Sequence, residues 1–317
     1  MNKFSSMFGQ VLHIFSKKEF YSAVKETKAE KGAKGFSCWD QFVAMLFCHL
    51  GQARSLREIS GGLASCLGKV RHLGIHSAPS RSTLSYANTK RSWKLYEAIF
   101  YQLLEKVRTT APGKRKFRFR NKLFSLDATL IELCLSLFDW ATYHQTKGAV
   151  KLHLLLDHDG YFPVFARITD GLTHEMRVAR ELSFPKGSIV VIDRGYVGYD
   201  LFARWRDEGV FFVSRQRTNA KYAVIEDRPV PRNRSVLKDQ LIRLTWFYSR
   251  KQYPHPLRRI EVWDDKKKER IVFITNHLTF GATTIAAIYK DRWQIEIFFK
   301  TIKQNLRIKT FVGTSAN

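Results

Sequence analysis

One short stretch predicts the centre of a sheet: Ser188-Ile189-Val190-Val191-Ile192-Asp193-Arg194-Gly195-Tyr196. Its four consecutive β-branched residues indicate a strand that is buried on both faces, as strands are in the middle of an α/β sheet. A lone ionised carboxylate is costly to bury, so we expect Asp193 where the strand emerges. Gly195 permits a tight turn, and the pattern from Tyr199 to Trp205 predicts a helix. This order favours a site at the carboxyl edge of a sheet.

The charge of the chain indicates a polyanionic partner. Its 317 residues carry 54 Lys and Arg against 28 Asp and Glu, a formal charge of +26 with a pI near 10.1. Such an excess, spread along the whole length, favours a protein that binds nucleic acid. A membrane partner is disfavoured because the sequence has no apolar run of the roughly 18 residues that a spanning helix requires. We expect an intracellular protein.

The N-terminal region, residues 1–107, is predicted to be helical. Apolar residues recur at helical spacing from Cys38 to Leu50, and a capping box opens a second helix from Ser55 to Leu63. A third helix is expected from Ser80 onward through Leu104. The region fits a helix-turn-helix and a plain bundle with a solvated basic face equally well. In the first interpretation, the third helix lays these residues along a DNA groove: Arg81, Ser85, Asn88, Lys90 and Arg91.

A basic linker, residues 108–122, is expected to separate this region from the rest of the chain. Its part from Arg108 to Arg120 holds Pro112-Gly113 and six positive charges, which suit a phosphate backbone. Beyond it we predict, in order, strands at Leu123 to Leu133, Lys151 to Leu156 and Tyr161 to Thr169, a helix around His174 to Leu182, the strand before Asp193, a helix at Tyr199 to Glu208 and a strand at Val210 to Val213. Three antiparallel strands followed by alternating helix and strand indicate a ribonuclease-H-like α/β fold.

The segment at about 215–270 interrupts that order and is predicted to be a β insertion. Its strand-like pieces are Leu241 to Tyr248 and Arg258 to Trp263, and no helix is expected within it. A strand at Ile271 to Thr275 follows. One long helix is then predicted from about Thr283 to Leu306.

The long helix carries a narrow polar stripe. Five residues at spacings of three, four, four and three share one helical face: Tyr289, Arg292, Glu296, Lys300 and Lys303. An apolar stripe beside it must face the core, so Glu296 is expected at the edge of the buried face among cations. The simpler interpretation of this stripe is a set of ordinary surface ion pairs, each of which contributes about 0.3–0.5 kcal/mol to stability.

Taken together, the acids and this stripe resemble a known family. The residues that carry the resemblance are Asp127 in Ser-Leu-Asp-Ala-Thr, Asp193 in Val-Ile-Asp-Arg-Gly-Tyr, and Tyr289-x2-Arg292-x3-Glu296-x6-Lys303. They are similar to the acidic triad and the Tyr-Arg-Glu-Lys signature of DDE transposases of the type-four family of insertion sequences. The resemblance implies a ribonuclease-H-like catalytic domain at 123–317 with a β insertion, preceded by an all-helical DNA-binding domain.

The resemblance implies that Asp127, Asp193 and Glu296 are catalytic and bind two Mg²⁺ or Mn²⁺ ions. Phosphodiester cleavage needs an activated oxygen nucleophile and a stabilised leaving oxygen, and two ions about 3.5–4 Å apart, held by hard oxygen ligands, supply both. The implied reaction is cut-and-paste DNA transposition: cleavage at transposon ends through a hairpin intermediate, then strand transfer. The implied DNA contacts of this domain are Tyr289, Arg292, Lys300, Lys303 and Arg194.

The β insertion contributes two further candidates, because Trp246 or Trp263 would stack on a flipped base in such a reaction. Core packing is the simpler role for either side chain. The implied partners are double-stranded DNA, as terminal inverted repeats and as target, and a second copy of the protein, with no membrane.

Two alternatives stay open. The chain fits another metal nuclease of ribonuclease-H fold, and it fits an inactive DNA-binding remnant of a transposase. Resembling proteins continue beyond the signature lysine, so the chain ending at Asn317 is expected to be a fragment. We expect it in the bacterial cytoplasm, associated with the nucleoid when bound to DNA.

Overall fold

The computed structural model describes residues 6–66, 69–110, 113, 115–133, 142–144, 147–231 and 235–305. Two compact units divide the chain. One comprises Met1–Ala111, Ile131–Val150 and Lys300–Asn317, and the other comprises Pro112–Leu130 and Lys151–Phe299. Within the described ranges, none of the helices has both the length and the apolar character needed to span a bilayer.

The N-terminal region is helical, as predicted. Its helices are α1 Met7–Leu12, α2 Lys17–Thr27, α3 Cys38–Leu50, α4 Leu56–Ala64, α5 Arg81–Lys90 and α6 Lys94–Thr110, with a 3₁₀ turn at Lys69–Leu73. Serine caps set several starts: Ser37 Oγ accepts from the Asp40 N–H at 3.0 Å, and the Asp40 carboxylate accepts from the Ser37 N–H at 2.8 Å. At α4, Ser55 caps the helix, but Glu58 accepts from the Arg54 N–H, so the predicted capping box is only half formed.

The helix predicted to run from Ser80 through Leu104 is in fact two helices, α5 and α6. Arg91 has extended backbone angles, φ −84° and ψ 145°, and ends α5 at Lys90. Its guanidinium donates to the carbonyl of Ser37 at 2.7 Å and to that of Phe36. The continuous helix was wrong because this contact with the start of α3 holds Arg91 outside helical geometry.

The strands form one large sheet, so the mixed α/β class is confirmed. They are β1 Leu123–Leu133, β2 Thr142–His144, β3 Lys147–Asp157, β4 Phe162–Asp170, β5 Ile189–Ile192, β6 Phe211–Arg215, β7 Tyr222–Asp227, β8 Val236–Leu244, β9 Leu257–Asp264 and β10 Glu269–Thr275. The order among the described strands is β2-β3-β1-β5-β6-β10-β9-β8-β7, with β4 paired to β3. Strands β1, β5 and β6 run parallel.

Strand β5 is buried on both faces, as its sequence predicted. Val190 and Ile192 pack in a core cluster with Trp205 of helix α8, Tyr199–Asp207. Ile189 and Val191 belong to a second cluster on the opposite side, with residues of helix α10, Ala282–Asp291. Helix α7, Glu175–Glu181, joins the first cluster. Layers on both sides therefore leave the strand no solvent-facing side, and Asp193 lies beyond its end.

The segment at about 215–270, predicted to be a β insertion, contributes strands to the same sheet. Strand β10 pairs antiparallel with β6, and β9, β8 and β7 follow outward. A short helix, α9 Phe247–Gln252, lies within the segment, so the expectation of no helix there was wrong. The strand predicted through Tyr248 ends at Leu244, and Trp246 is the N-cap of α9. Trp246 is 54% exposed, which argues against core packing for that side chain.

The long C-terminal helix is two helices. Helix α10 ends at Asp291 and α11 spans Trp293–Asn305, while Leu306 lies outside the described residues. The Arg292 N–H donates to the Tyr289 carbonyl at 3.1 Å, and the Ile295 N–H donates to the Arg292 carbonyl at 3.0 Å. These three-residue bonds tighten the chain into a 3₁₀-type turn. The prediction of a single continuous helix was wrong at this turn, where Arg292 lies between α10 and α11.

Candidate active site

Asp127 and Asp193 lie at the same level on adjacent parallel strands. Leu126 of β1 pairs with Ile192 of β5, so the two acids follow at the next position of that register. Neighbouring strands are about 4.7–4.9 Å apart, which brings the two backbones together. Asp193 occupies the N-cap position of the 3₁₀ turn Arg194–Tyr196 where β5 ends, and its side chain makes no capping hydrogen bond there. The topology therefore juxtaposes two carboxylates at the carboxyl edge of the sheet.

Arg292 connects Glu296 to Asp127. Its Nη1 lies 2.9 Å from Asp127 Oδ2, and its Nη2 lies 2.5 Å from Glu296 Oε1. The arginine side chain is only 12% exposed, against 19% for Asp127 and 32% for Glu296. Charge-assisted bonds of this geometry are among the stronger ones in proteins. The turn at Arg292 thus brings the acid of α11 and the acid of β1 to one guanidinium.

Tyr289 holds the third acid. Its hydroxyl donates to Asp193 Oδ1 at 3.3 Å, and the Arg292 guanidinium lies 5.6 Å from the centre of its ring. Burial and the nearby Asp193 raise the pKa of Tyr289 to about 12, although Arg292 opposes this. The phenol is therefore a donor throughout the neutral range. Asp127, Asp193 and Glu296 are linked through two side chains of the predicted stripe.

The acids repel one another. Burial raises the pKa of Asp127 to about 6; Arg292 opposes this shift, and the Asp193 and Glu296 carboxylates reinforce it. The Ala128 N–H donates to Asp127 Oδ1 at 2.8 Å and also favours the charged form. Burial is the main cause of this raised pKa, and the two neighbouring carboxylates add to it even though an arginine is bonded to Asp127. Additional positive charge at this cluster would be favourable.

The donor set fits a divalent metal. Asp127, Asp193 and Glu296 offer hard oxygen ligands of the kind that Mg²⁺ and Mn²⁺ prefer. The Tyr196 hydroxyl is buried without a hydrogen-bond partner in the described structure, and its pKa is raised by burial and by Asp127. Across the described ranges, no three acidic, histidine or cysteine side chains already form a cage for one ion. The three acids supply the right chemistry for a metal, and Arg292 is bonded to two of them.

A basic groove lies beside these acids, and it combines Arg194, a predicted DNA contact, with arginines that the sequence did not single out. We use the name for the surface lined by Arg194, Arg215, Arg217, Arg259 and Arg270. Arg194 directly follows Asp193 and is exposed, as is Arg217. Arg259 is instead buried and bonded to Glu261 at 2.9 Å. The groove therefore combines exposed cations with a buried, ion-paired one.

The remaining predicted contacts are dispersed. Lys300 is exposed and Lys303 is half-buried on α11. Arg81, Ser85 and Lys90 are exposed on α5.

Two residues predicted to line the same DNA groove hold the helices together instead. Asn88 accepts from the Gln41 side-chain amide at 2.7 Å, and Arg91 donates to backbone carbonyls at the start of α3. This geometry does not favour a DNA contact for either one.

Two families match the sequence. The family described as "Transposase DDE domain" matches residues 118–315, well over half of the chain, and a domain of unknown function (DUF4372) matches residues 3–76. The first match contains all three acids of the site. Such a domain implies dependence on a divalent metal in general.

Proteins of similar sequence are also described as transposases, in agreement with the family match. A putative transposase, y4zB, of Sinorhizobium fredii is 29% identical over 76% of this chain and 67% of its own length. A probable transposase for insertion sequence element IS5377 of Geobacillus stearothermophilus is 29% identical over 64% of this chain and 54% of its own length. The chain thus matches only part of each relative.

Among solved structures, a piggyBac transposase synaptic complex with hairpin DNA aligns over 93% of this chain and 68% of its own. The identity is 10% and the TM-score is 0.48. On the family match, the chain belongs to the DDE transposase family, whose members are enzymes that cleave nucleic acid and transfer its strands, and it is consistent with an insertion-sequence transposase of the type-four group.

Proposed function

We propose that this protein catalyses cut-and-paste DNA transposition, cleaving DNA at transposon ends and transferring the cut strand to a target. The observation that carries the proposal is the connection of Asp127, Asp193 and Glu296 through Arg292 and Tyr289. These acids come from two strands and a helix separated by much of the chain. A surface ion pair alone would not require that convergence.

The proposed catalytic domain, residues 123–317, has a ribonuclease-H-like core. The strand order β4-β3-β1-β5-β6, with β1, β5 and β6 parallel, supports this, since three strands are followed by strand–helix alternation. The insertion at about 215–270 lies between β6 and the helix that carries Glu296. A helical domain at 1–107 and a basic linker at 108–122 precede the core.

Asp127, Asp193 and Glu296 would hold the divalent metal. A pair of bound ions supplies an activated oxygen nucleophile and stabilises the leaving oxygen. Tyr289 orients the Asp193 carboxylate by donating to one oxygen and leaving the other available. Arg292 holds Asp127 and Glu296, and its planar fork suits a phosphate equally well. Exchange of Arg292 from carboxylate to DNA phosphate would leave the acids to the metal as the substrate arrives.

The basic groove supplies a path for the DNA backbone towards the acids. Arg194 and Arg217 are exposed there, and Arg215 is 32% exposed beside Glu269 at 3.5 Å. These cations would bind phosphates, with Lys300 and Lys303 contributing from α11. Trp246 is exposed on the insertion and is suited to stack on a flipped base.

The helical domain would bind the terminal inverted repeats. Arg81 and Lys90 are exposed on α5, as a groove-reading helix requires. A hairpin at the transposon end and assembly of two copies around paired ends complete the proposal.

The test is cleavage of a DNA duplex that carries the element's end, with Mg²⁺ or Mn²⁺ and with EDTA. We expect metal-dependent cleavage that Asp193→Asn abolishes while DNA affinity is retained. Asp200→Asn, in an exposed pair with Arg180, is the matched control and should cleave normally. Equal loss of cleavage and DNA binding in Asp193→Asn would contradict a catalytic role.

A second assay uses a pre-cut end with a free 3′ hydroxyl. Joining to a target duplex is expected of a transposase. Cleavage without joining would instead support a metal nuclease, and binding without cleavage would support an inactive remnant.

A further inference from the structure

A buried polar network lies beneath the acids and is absent from the family signature described above. Ser125 Oγ is 2.7 Å from His158 Nε2, and His158 Nδ1 is 2.7 Å from Asp291 Oδ2. All three side chains are buried, at 0%, 3% and 2% exposure. The backbone N–H of His158 also donates to the carbonyl of Leu123 at 3.0 Å. The hairpin between β3 and β4 is thereby bonded to both β1 and α10.

Asp291 is a fully satisfied buried anion. Lys116 Nζ lies 2.5 Å from its Oδ1, and the Tyr161 hydroxyl donates to its Oδ2 at 3.0 Å. Although burial acts in the opposite direction, the bonds from His158 and Lys116 hold the pKa of Asp291 below its ordinary value. An ionised Asp291 accepts only, so His158 Nδ1 carries the proton between them. A network with every member bonded is rigid and specifies one arrangement.

The order of serine, histidine and aspartate resembles that of an acyl-transfer triad, but nucleophilic catalysis is excluded by burial. The Ser125 hydroxyl has no exposed surface, so no substrate can reach it. The network must act on its neighbours instead. Ser125 lies two residues before Asp127 on the same face of β1, and Asp291 directly precedes Arg292.

We propose that Ser125, His158 and Asp291 form a positioning network that fixes α10 against β1 and so sets Arg292 relative to Asp127. Two bonded connections then link the same two elements. One is the partly buried ion pair of Arg292 with Asp127, and the other is the fully buried network of Ser125, His158 and Asp291. The ion pair can open for DNA while the buried network keeps the helix in place. This inference rests on the proposed function for its catalytic consequence but not for its structural one.

The test compares His158→Gln with His153→Gln. His153 is a second buried histidine in the same hairpin, and its Nε2 lies 3.0 Å from Thr169 Oγ1 of β4, with no bond to α10 among the described residues. A second pair is Ser125→Ala against Ser188→Ala, because the Ser188 hydroxyl is buried and has no hydrogen-bond partner within the described part of the chain. Each pair removes a similar group, and only one member touches the network.

The first measurement is single-turnover cleavage at saturating DNA, beside DNA affinity and melting temperature. Misplacement of a catalytic group by about 1 Å costs on the order of 10²-fold in rate, so we expect a loss of that order in His158→Gln with DNA affinity unchanged. His153→Gln should cleave like the wild type after correction for any lower melting temperature. Rate losses that are equal in the two variants, or normal cleavage by His158→Gln, would overturn the proposal.

The second measurement does not depend on activity. Amide hydrogen exchange in α10 should be faster in His158→Gln and Ser125→Ala than in their controls, because the helix has lost its anchor. Unchanged exchange in α10 would refute the network's role even if cleavage fell. Should the wild-type protein fail to cut DNA, the proposed function fails, and exchange still decides whether the network positions the helix.

Discussion

Arg292→Ala tests the centre of the site, because this one side chain bonds two acids. Hydrogen bonds to charged groups contribute about 1.5–3 kcal/mol each, and removing one partner of a fully buried pair costs about 3–5 kcal/mol. Asp127 and Glu296 are both partly exposed, so water recovers some of that loss. We expect the free energy of unfolding to fall by about 1–3 kcal/mol at pH 7.

The matched control is Arg180→Ala, whose ion pair with Asp200 at 2.7 Å is largely exposed. Such a pair contributes about 0–1 kcal/mol. Thermal melting separates the two variants, since a protein of this size loses about 1–2 °C in melting temperature per kcal/mol. Adding Mg²⁺ should stabilise Arg292→Ala more than the wild type, because the freed carboxylates gain a cation in place of the guanidinium.

Cleavage is measured on the same proteins under single-turnover conditions. Loss of a group that orients the scissile phosphate is expected to slow Arg292→Ala by on the order of 10²-fold. Arg292→Lys keeps the positive charge but loses the planar guanidinium, so its cleavage rate should lie between those of the wild type and Arg292→Ala. If Arg292→Ala melted and cleaved like Arg180→Ala, the bridging role drawn from the geometry would be wrong.

Three further predictions concern the groove, the insertion and acid stability. Arg217→Gln should reduce the slope of log affinity against log salt by about 0.9, the share of one phosphate contact, and an unchanged slope would remove Arg217 from the DNA path. Trp246→Ala should leave stability within about 0.5 kcal/mol yet weaken binding to DNA with an unpaired end base by about 1–3 kcal/mol; equal weakening for fully paired DNA would argue against stacking. Burial, with Arg258 nearby, lowers the pKa of His277 to about 4 from 6.5. A neutral buried His277 therefore contributes stability that is fully present above pH 6.5 and is lost as the pH falls towards 4, about 3 kcal/mol in all. In urea titrations at several pH values, His277→Gln should lack this part of the acid decline. A pH profile identical to that of the wild type would contradict the prediction.

The sequence predicted the strands that carry or precede Asp127 and Asp193 because the signals for those strands are local. The buried strand before Asp193 and the strand that holds Asp127 can each be recognised from a pattern within about ten residues. The same reasoning failed at Arg91 and Arg292, where helical periodicity continues but the backbone leaves α-helical hydrogen bonding. In both cases a side-chain partner far away in sequence accompanies the break.

The buried network could not be found in this way. Ser125 is 33 residues from His158, and His158 is 133 residues from Asp291. The sequence Asp157-His158-Asp159-Gly160 predicts only a hairpin, although three ionisable residues in one turn were a usable signal. Helix α9 was missed because its aromatic start, Trp246 onward, is also typical of a strand.

The continuity of the sheet through the insertion bears on attempts to shorten this protein. Strand β7 closes the sheet order, and it carries a register shift after Val224 and charged residues at its end, Glu226 and Asp227. Bulges and charges of this kind discourage edge-to-edge aggregation. Deleting β7, β8 and β9 would uncover β10, whose Ile271-Val272-Phe273-Ile274 run has no such protection. A minimal enzyme made by trimming the insertion would therefore precipitate as intermolecular sheet before its chemistry could be assayed, unless the new edge received a lysine or a proline.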